Sequence, residues 1–398
     1  MTHDARHDAL IIGGGPAGAT VALLLAKGGW SVAVTEKAAF PRRKVCGEFI
    51  SATTMPALHK IGVGEAFSNL AGPEVRRVGL FANDTTLAAP LPPLTGLSDG
   101  WGRALGREHL DLLLLNAAAH AGARIWQPWS AIELRRSEAG YVCNIVSKGG
   151  RTKELFARIV IVAHGSWGRS LLPWLNPKAH EHSDLLAFKA HFRDCDLPTD
   201  LMPLLVFPGG YGGMAHSDSG RVSLSSCIRS NELRRCRQHW QSRHAGDAVV
   251  QHIQNSCLGV RQSLRRASLD GMWLSAGPIR PGICAGYSNG VFLVGNIAGE
   301  AHPIIAEGIS MAMQGAQLLA RRLIAQQNDL APDAMSQVGA EYTAEWKVCF
   351  EKRVRAAAVF AFLALRPNVA ALALPLIARV PPILTFGARL SGKTQLHV

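Results

Sequence analysis

Three glycines, Gly13, Gly15 and Gly18, lie between the apolar run ALIIGGG and the helix-forming run AGATVALLLAKGG, and SVAVTEK follows as another strand. Strand, glycine turn, helix and strand in about thirty residues form a βαβ unit, which demands a parallel sheet. Glycine lets the backbone approach a pyrophosphate, whose charge the helix N-terminus then stabilises. Glu36, at the tip of the second strand, is placed to accept the two hydroxyls of a ribose, and Lys37 beside it is counted with the same cofactor-binding set. An acid at this position disfavours NADP as the tightly held ligand, leaving FAD or NAD.

The same alternation continues farther on. Residues 107–121 have helical spacing, ARIWQPW reads as a strand, and ARIVIVAHG is an unbroken apolar run of the buried parallel kind. Between about 180 and 285 the pattern changes to strands and glycine turns (LMPLLVF, PGG, YGGMAH, SDSG, RVSLSSCI), which predicts an antiparallel sheet interrupted by one polar helical stretch over 231–256. VFLVGNIAG returns to the buried-strand style, and 310–327 is a long helix with a basic end. The expected architecture is α/β: a Rossmann-like dinucleotide-binding domain built from discontinuous segments (1–75, 100–180 and 286–330), an inserted, mainly antiparallel substrate domain (76–99 and 181–285), and an apolar, basic helical region over 331–398.

FAD is separated from NAD by the stretch GNIAGEAHPIIAEGISMAMQGA, residues 295–316. Here the chain resembles the FAD-dependent aromatic hydroxylase superfamily, in the branch that contains geranylgeranyl reductases and flavin-dependent halogenases. That family's pattern is G-D-A-A-G, a spacer, then P-x-x-G-E-G-I, and this chain carries Gly295, Ala298, Gly299, Pro303, Glu307, Gly308 and Ile309. Arg107, followed by Leu110 and Asp111, matches the family's flavin-contacting arginine helix. The resemblance implies FAD as cofactor, with NAD(P)H as transient reductant. It also implies that FPRRKVCGEF runs along the flavin, with Arg43 among the cofactor contacts and Cys46 near the ring, either as a substrate-side or flavin-tuning group or as a small residue filling space. Lys44 and Arg43 would stabilise a thiolate there if they lie close. Two carboxylates of the family pattern are missing: Asn296 replaces the acid of G-D, and His164-Gly165 replaces a D-G pair. An amide still donates and accepts hydrogen bonds, so flavin binding is expected to survive.

Three chemistries share this scaffold. Hydroxylation or epoxidation of a hydrophobic phenol, quinone or polyketide-like molecule by dioxygen is the favoured expectation. Reduction of a double bond in a polyprenyl or lipid-like substrate is the alternative. Halogenation ranks lower because no W-x-W occurs in the chain, and a non-catalytic prenyl-binding flavoprotein-like fold ranks lower with it, since the flavin contacts are retained. The substrate pocket is expected between the antiparallel sheet and the flavin, with Tyr211, Met214, His216 and Arg280 as substrate-side residues and His302 as the titratable group that moves a proton.

Composition narrows partners and compartment. Eight cysteines without a C-x-x-C pair argue for free thiols, no metal site and a cytoplasmic setting. The net charge of +13 comes with no recognisable nucleic-acid module. Part of it lies after Glu351, where no acidic residue follows and the runs AAAVFAFLAL (356–365) and VAALALPLIA (369–378) flank Arg366-Pro367-Asn368. Each run is too short to span a bilayer and is expected to form a short helix, capping the core or giving a basic, apolar face for peripheral contact with the inner face of the membrane. The oligomeric state is not legible.

Overall fold

The computed structural model describes residues 6–94, 100–166, 172, 181, 184–366, 375, 377, 379, 380 and 382–393. His7–Ile12 is the centre of its first sheet, flanked in parallel by Val32–Thr35 on one side and Thr152–Val162 on the other. Arg124–Trp126 extends the sheet beyond Val32–Thr35, and Val291–Leu293 extends it beyond Thr152–Val162. The strands are apolar because both faces are covered: Leu10, Ile11, Val160 and Ile161 are all essentially sealed from water. On one side lies the helix Pro16–Lys27, packed against Arg107–His120 and Gly308–Ala325.

The strand expected over 157–165 starts earlier, at Thr152, because its first half pairs with the antiparallel strand Gly140–Ser147 before its second half enters the parallel sheet. ARIWQPW is two strands, Arg124–Trp126 and the start of Trp129–Ser137, separated at Pro128, whose missing N–H interrupts a ladder.

The second sheet has seven strands in the order Ser268–Ile279, Leu185–Arg193, Val222–Arg229, Gly210–His216, Leu201–Phe207, Arg77–Ala82 and Thr85–Pro90. All neighbours are antiparallel except Leu201–Phe207 with Arg77–Ala82. The polar stretch over 231–256 is two helices, Ser230–Trp240 and Ala245–Ser256, not one: Gln241 adopts a left-handed φ of 46° that ends the first. These helices, with Leu258–Ser263, seal a core of Phe81, Phe188, Leu205, Leu224 and Ile253. The opposite face of the sheet looks toward the first domain.

The expected short helix over 356–365 does not exist as a separate element. It is the end of Pro332–Ala364, one helix of 33 residues. Alanine-rich sequence contains nothing to stop a helix before Arg366-Pro367, and the buried positions Tyr342, Trp346, Phe350, Val354, Ala357, Ala361 and Ala364 continue a single stripe. The second expected helix, over 369–378, falls mostly outside the described residues. Among the described residues no helix is long and apolar enough to cross a membrane.

The long helix holds the molecule through its aromatic stripe, where the Trp346 and Phe350 rings pack at a tilt of 58° with centroids 5.2 Å apart. Phe350→Ala is expected to cost about 3–5 kcal/mol, read as a lowered denaturant midpoint at unchanged slope.

Candidate functional site

The glycine turn leaves no room for side chains. Gly13 has a φ of 113°, and a Cβ there would meet the Ala163 carbonyl at 2.7 Å; a Cβ on Gly18 would sit 1.9 Å from the Gly13 oxygen. Glu36 is buried at the end of its strand, where its carboxylate accepts hydrogen bonds from the backbone N–H of Gly14 and Ala38, both at 2.9 Å, with Arg42 at 3.7 Å. Lys37 is exposed at the surface and does not border the cavity described below.

Arg107 opens its helix directly over this turn: a Cβ on Gly15 would lie 3.6 Å from its guanidinium. Burial works against the cation, but the two-pronged bond to Asp111, at 2.6 and 2.8 Å, outweighs it and holds Arg107 above its ordinary range.

The segment that follows the second strand alternates its contacts. Arg42 turns to Glu36. Arg43 turns outward to the Asp270 carbonyl at 2.7 Å and to Glu108 at 3.4 Å, so it does not reach the cavity and cannot act on Cys46, contrary to the sequence expectation. Lys44 turns inward, where burial first and then the nearby Arg107 and Arg42 lower its pKa to about 8. Cys46 is half-buried on the cavity wall; its sulfur accepts from the Glu48 N–H at 3.4 Å, and the cation beside it is Arg107.

Glu48, which the sequence reading passed over, is a fully enclosed charge in the site. It has a φ of 66°, pairs with Lys189, and accepts from His191 Nε2 at 2.8 Å, Ser217 Oγ at 3.2 Å and the Arg107 N–H at 3.2 Å. Burial alone would push this carboxyl up, but the hydrogen bonds from His191 and Lys189 hold it far below the usual range. The available signal was the strand LLAFKAHFR, in which Lys189 and His191 place two polar groups on one face of an apolar strand.

The third wall starts at the short turn Gly295–Ile297. Asn296 donates from Nδ2 to Glu300 Oε1 at 2.9 Å. Glu300 was also missed; it is buried on the cavity lining, and burial raises its pKa against the pull of the nearby Ser166 hydroxyl and the Asn296 amide. His302 stands just before Pro303, with Nδ1 3.3 Å from Tyr211 Oη, and burial lowers its pKa. Tyr211, sealed from water, has its pKa pushed well up by burial.

Together these walls enclose a cavity of about 460 Å³. Gly15, Lys44, Cys46, Arg107, Gly295, Asn296, Pro303, Gly308 and Ile309 border it on one side, and Tyr211 and Met214 on the other. Of the expected contacts, Gly13, Gly18, Glu36, Lys37, Arg43, His216, Arg280 and Glu307 do not border it. His216 points away, its Nε2 bonded to the Leu197 carbonyl at 2.8 Å; Arg280 is paired with Asp184 at 3.1 Å; Glu307 is occupied by Lys393 at 2.9 Å and Ser51 at 3.1 Å. The last three side chains are bonded to partners elsewhere in the chain.

The residues fit FAD. At Gly13 and Gly18 the turn admits no Cβ beside a helix N-terminus, Arg107 supplies a positive charge over it, Glu36 ends the second strand next to the turn, and Asn296 and Glu300 line the cavity beyond it. Residues 6–355 match the family described as FAD binding domain, and the chain belongs to it. It is similar to menaquinone reductase of Mycobacterium tuberculosis, 28% identical over 166 residues; that match covers 42% of this chain and only 39% of the relative's length. Digeranylgeranylglycerophospholipid reductase 2 of Methanopyrus kandleri is 26% identical over 77% of this chain and 74% of the relative. Among solved structures, the flavin-dependent brominase Bmp2 aligns with a TM-score of 0.75 at 17% identity, over 98% of this chain and 94% of its own. PqsL of Pseudomonas aeruginosa, a probable FAD-dependent monooxygenase, aligns at 0.70 and 18%, over 92% and 99%. At these identities the structures share the fold.

Two measurements probe the site. Gly18→Ala is expected to abolish flavin retention, read as the absorbance ratio of flavin to protein after purification. Glu48→Gln is expected to cost about 3–5 kcal/mol at pH 7, because Lys189 is left buried without its counter-charge. Folding lowers the Glu48 pKa from 4.5, so its contribution is complete above that value and fades as pH falls below it. The deficit of the variant therefore narrows in acid.

Proposed function

We propose that this FAD-dependent oxidoreductase is a monooxygenase that hydroxylates or epoxidises a hydrophobic phenol, quinone or polyketide-like molecule. The observation that carries the reading is a neutral His302 beside Tyr211, on the wall of a long apolar cavity. Bound FAD supplies the redox chemistry, passing electrons from NAD(P)H to dioxygen. The chain supplies binding, exclusion of water and proton control. Burial lowers the His302 pKa, so the imidazole is an unprotonated base at neutral pH. In the tautomer that donates Nδ1–H to Tyr211 Oη, Nε2 is left to accept the proton of a phenol, which makes the aromatic ring electron-rich. Tyr211, with its pKa pushed up, stays protonated and holds the imidazole in place.

Double-bond reduction is the second reading. Its support is the Cys46 thiol on the cavity wall next to Arg107, and sequence relatives that are reductases of menaquinone and of a digeranylgeranyl lipid. In that chemistry the buried Glu300, its pKa raised, is a proton source for the carbon that does not receive hydride.

Oxygen dependence separates the two. For a monooxygenase, purified yellow protein given a lipophilic phenol consumes one NAD(P)H and one dioxygen per hydroxylated product. Anaerobic turnover to a saturated product establishes the reductase instead. In the favoured case His302→Gln lowers kcat by roughly 10²–10⁴ with flavin content unchanged, and the wild-type rate declines as pH drops below 6.5 toward the lowered His302 value. Cys46→Ala leaves the monooxygenase rate within about twofold, whereas a large loss favours the reductase.

A further inference from the structure

The cavity ends at the C-terminal helices. Phe360 and Leu363 from the end of Pro332–Ala364, with Ile383 and Leu384 from Pro382–Leu390, line its apolar extremity. Leu363 and Ile383 are at once cavity lining and 38% and 37% exposed, so they form its mouth. The outer faces of the same two helices are unusually apolar: Val359 is 57% exposed, Phe362 52% and Phe386 61%. On the long helix, Lys352, Arg355, Val359 and Phe362 recur at intervals of three or four, with Arg355 ion-paired to Glu351 one turn earlier, and Arg366 just past the helix end continues the stripe on the other side of its apolar centre. Arg366 folds back over the Phe362 ring, its guanidinium 3.4 Å from the ring centre. Arg379 and Arg389 add exposed charge nearby, and no acidic residue occurs after Glu351.

A core-capping contact or a second copy of the chain would account for apolar exposure alone. It would not account for apolar centres rimmed by an excess of cations, Lys352, Arg366, Arg379 and Arg389 against the single acid Glu351, which is the pattern complementary to an anionic lipid leaflet. We infer that the C-terminal helices dock on an anionic membrane surface, with Phe362 and Phe386 entering the headgroup boundary, and that this sets the Leu363–Ile383 mouth against the bilayer so that a lipophilic substrate enters from the membrane. The inference rests on the proposed hydrophobic substrate. It uses one surface for two purposes: the residues that hold the protein at the membrane are one layer removed from those that close the pocket.

Co-sedimentation of the flavin-loaded protein with vesicles tests the docking apart from catalysis. Wild-type protein is expected to bind phosphatidylglycerol-containing vesicles, to bind pure phosphatidylcholine vesicles weakly, and to be largely released by about 0.5 M salt. Phe362→Asp with Phe386→Asp is expected to weaken vesicle binding at least roughly tenfold, and Arg366→Ala with Arg389→Ala roughly tenfold at low salt, all with flavin content and melting temperature unchanged. Equal binding to both vesicle types, binding to neither, or full binding by the Phe double variant overturns the inference. So does a wild-type dimer that the Phe variant converts to monomer without any vesicle binding in the wild type, because the face then belongs to a second copy. Vesicle binding without turnover of any phenol or prenyl substrate leaves the docking standing and removes the proposed chemistry.

Discussion

A carboxylate buried away from water holds the two halves of this molecule in register. Glu48 belongs to the irregular segment after the first βαβ unit, while its partners Lys189 and His191 belong to the antiparallel sheet and its backbone donor opens the Arg107 helix. An unpaired charge at such depth is strongly destabilising, so the segment cannot slide relative to either domain without leaving a cation or an anion stranded. The left-handed backbone at Glu48 is tolerated for the same reason: the surroundings over-determine it. Cys46 and Lys44, two and four residues earlier, take their positions on the cavity wall from this anchor.

Beyond that anchor, the cations Arg107 and Lys44 stand on one side of the cavity, and the wall around Tyr211 and His302 is a place where charge is suppressed. Burial pushes Tyr211 and Glu300 up and His302 down, so the same physical cause keeps a phenol and an imidazole uncharged at neutrality and weakens the acidity of a carboxyl. A wall that keeps Tyr211 and His302 uncharged accepts an apolar molecule at low cost and still offers a proton donor and an acceptor next to it. Asn296, standing where relatives of the resembled family carry an acid, extends this pattern, since its amide bonds Glu300 without adding a negative charge.

What the sequence made legible was local. The strand, glycine turn and helix around Gly13 and Gly18 are set by neighbours a few residues away, and so are the Gly308–Ala325 helix and the hairpins of the second sheet. What it hid was long-range. Arg43, His216, Arg280 and Glu307 looked like ligand contacts because of the motifs they sit in, yet their side chains are claimed by Asp270, Leu197, Asp184 and Lys393. Glu48 and Glu300 were overlooked because one acid in a loop carries no periodic signal; only the fold reveals that both are enclosed. The helix boundary at 356 failed for another reason: an apolar run was read as a separate element, although the buried stripe of Tyr342 through Ala364 never breaks step.

The Lys393–Glu307 pair ties the far end of the described chain to the cofactor loop. Lys393 also donates to the Ile305 carbonyl, while Arg353 approaches the same carboxylate from the long helix at 3.9 Å. Whatever orders residues 303–309 must therefore also order the tail, and by thermodynamic reciprocity whatever grips the tail tightens the loop. Loss of the prosthetic group would then loosen the C-terminus before it loosened the sheet, and a protease attacking that end would act as a gauge of how fully the protein is charged.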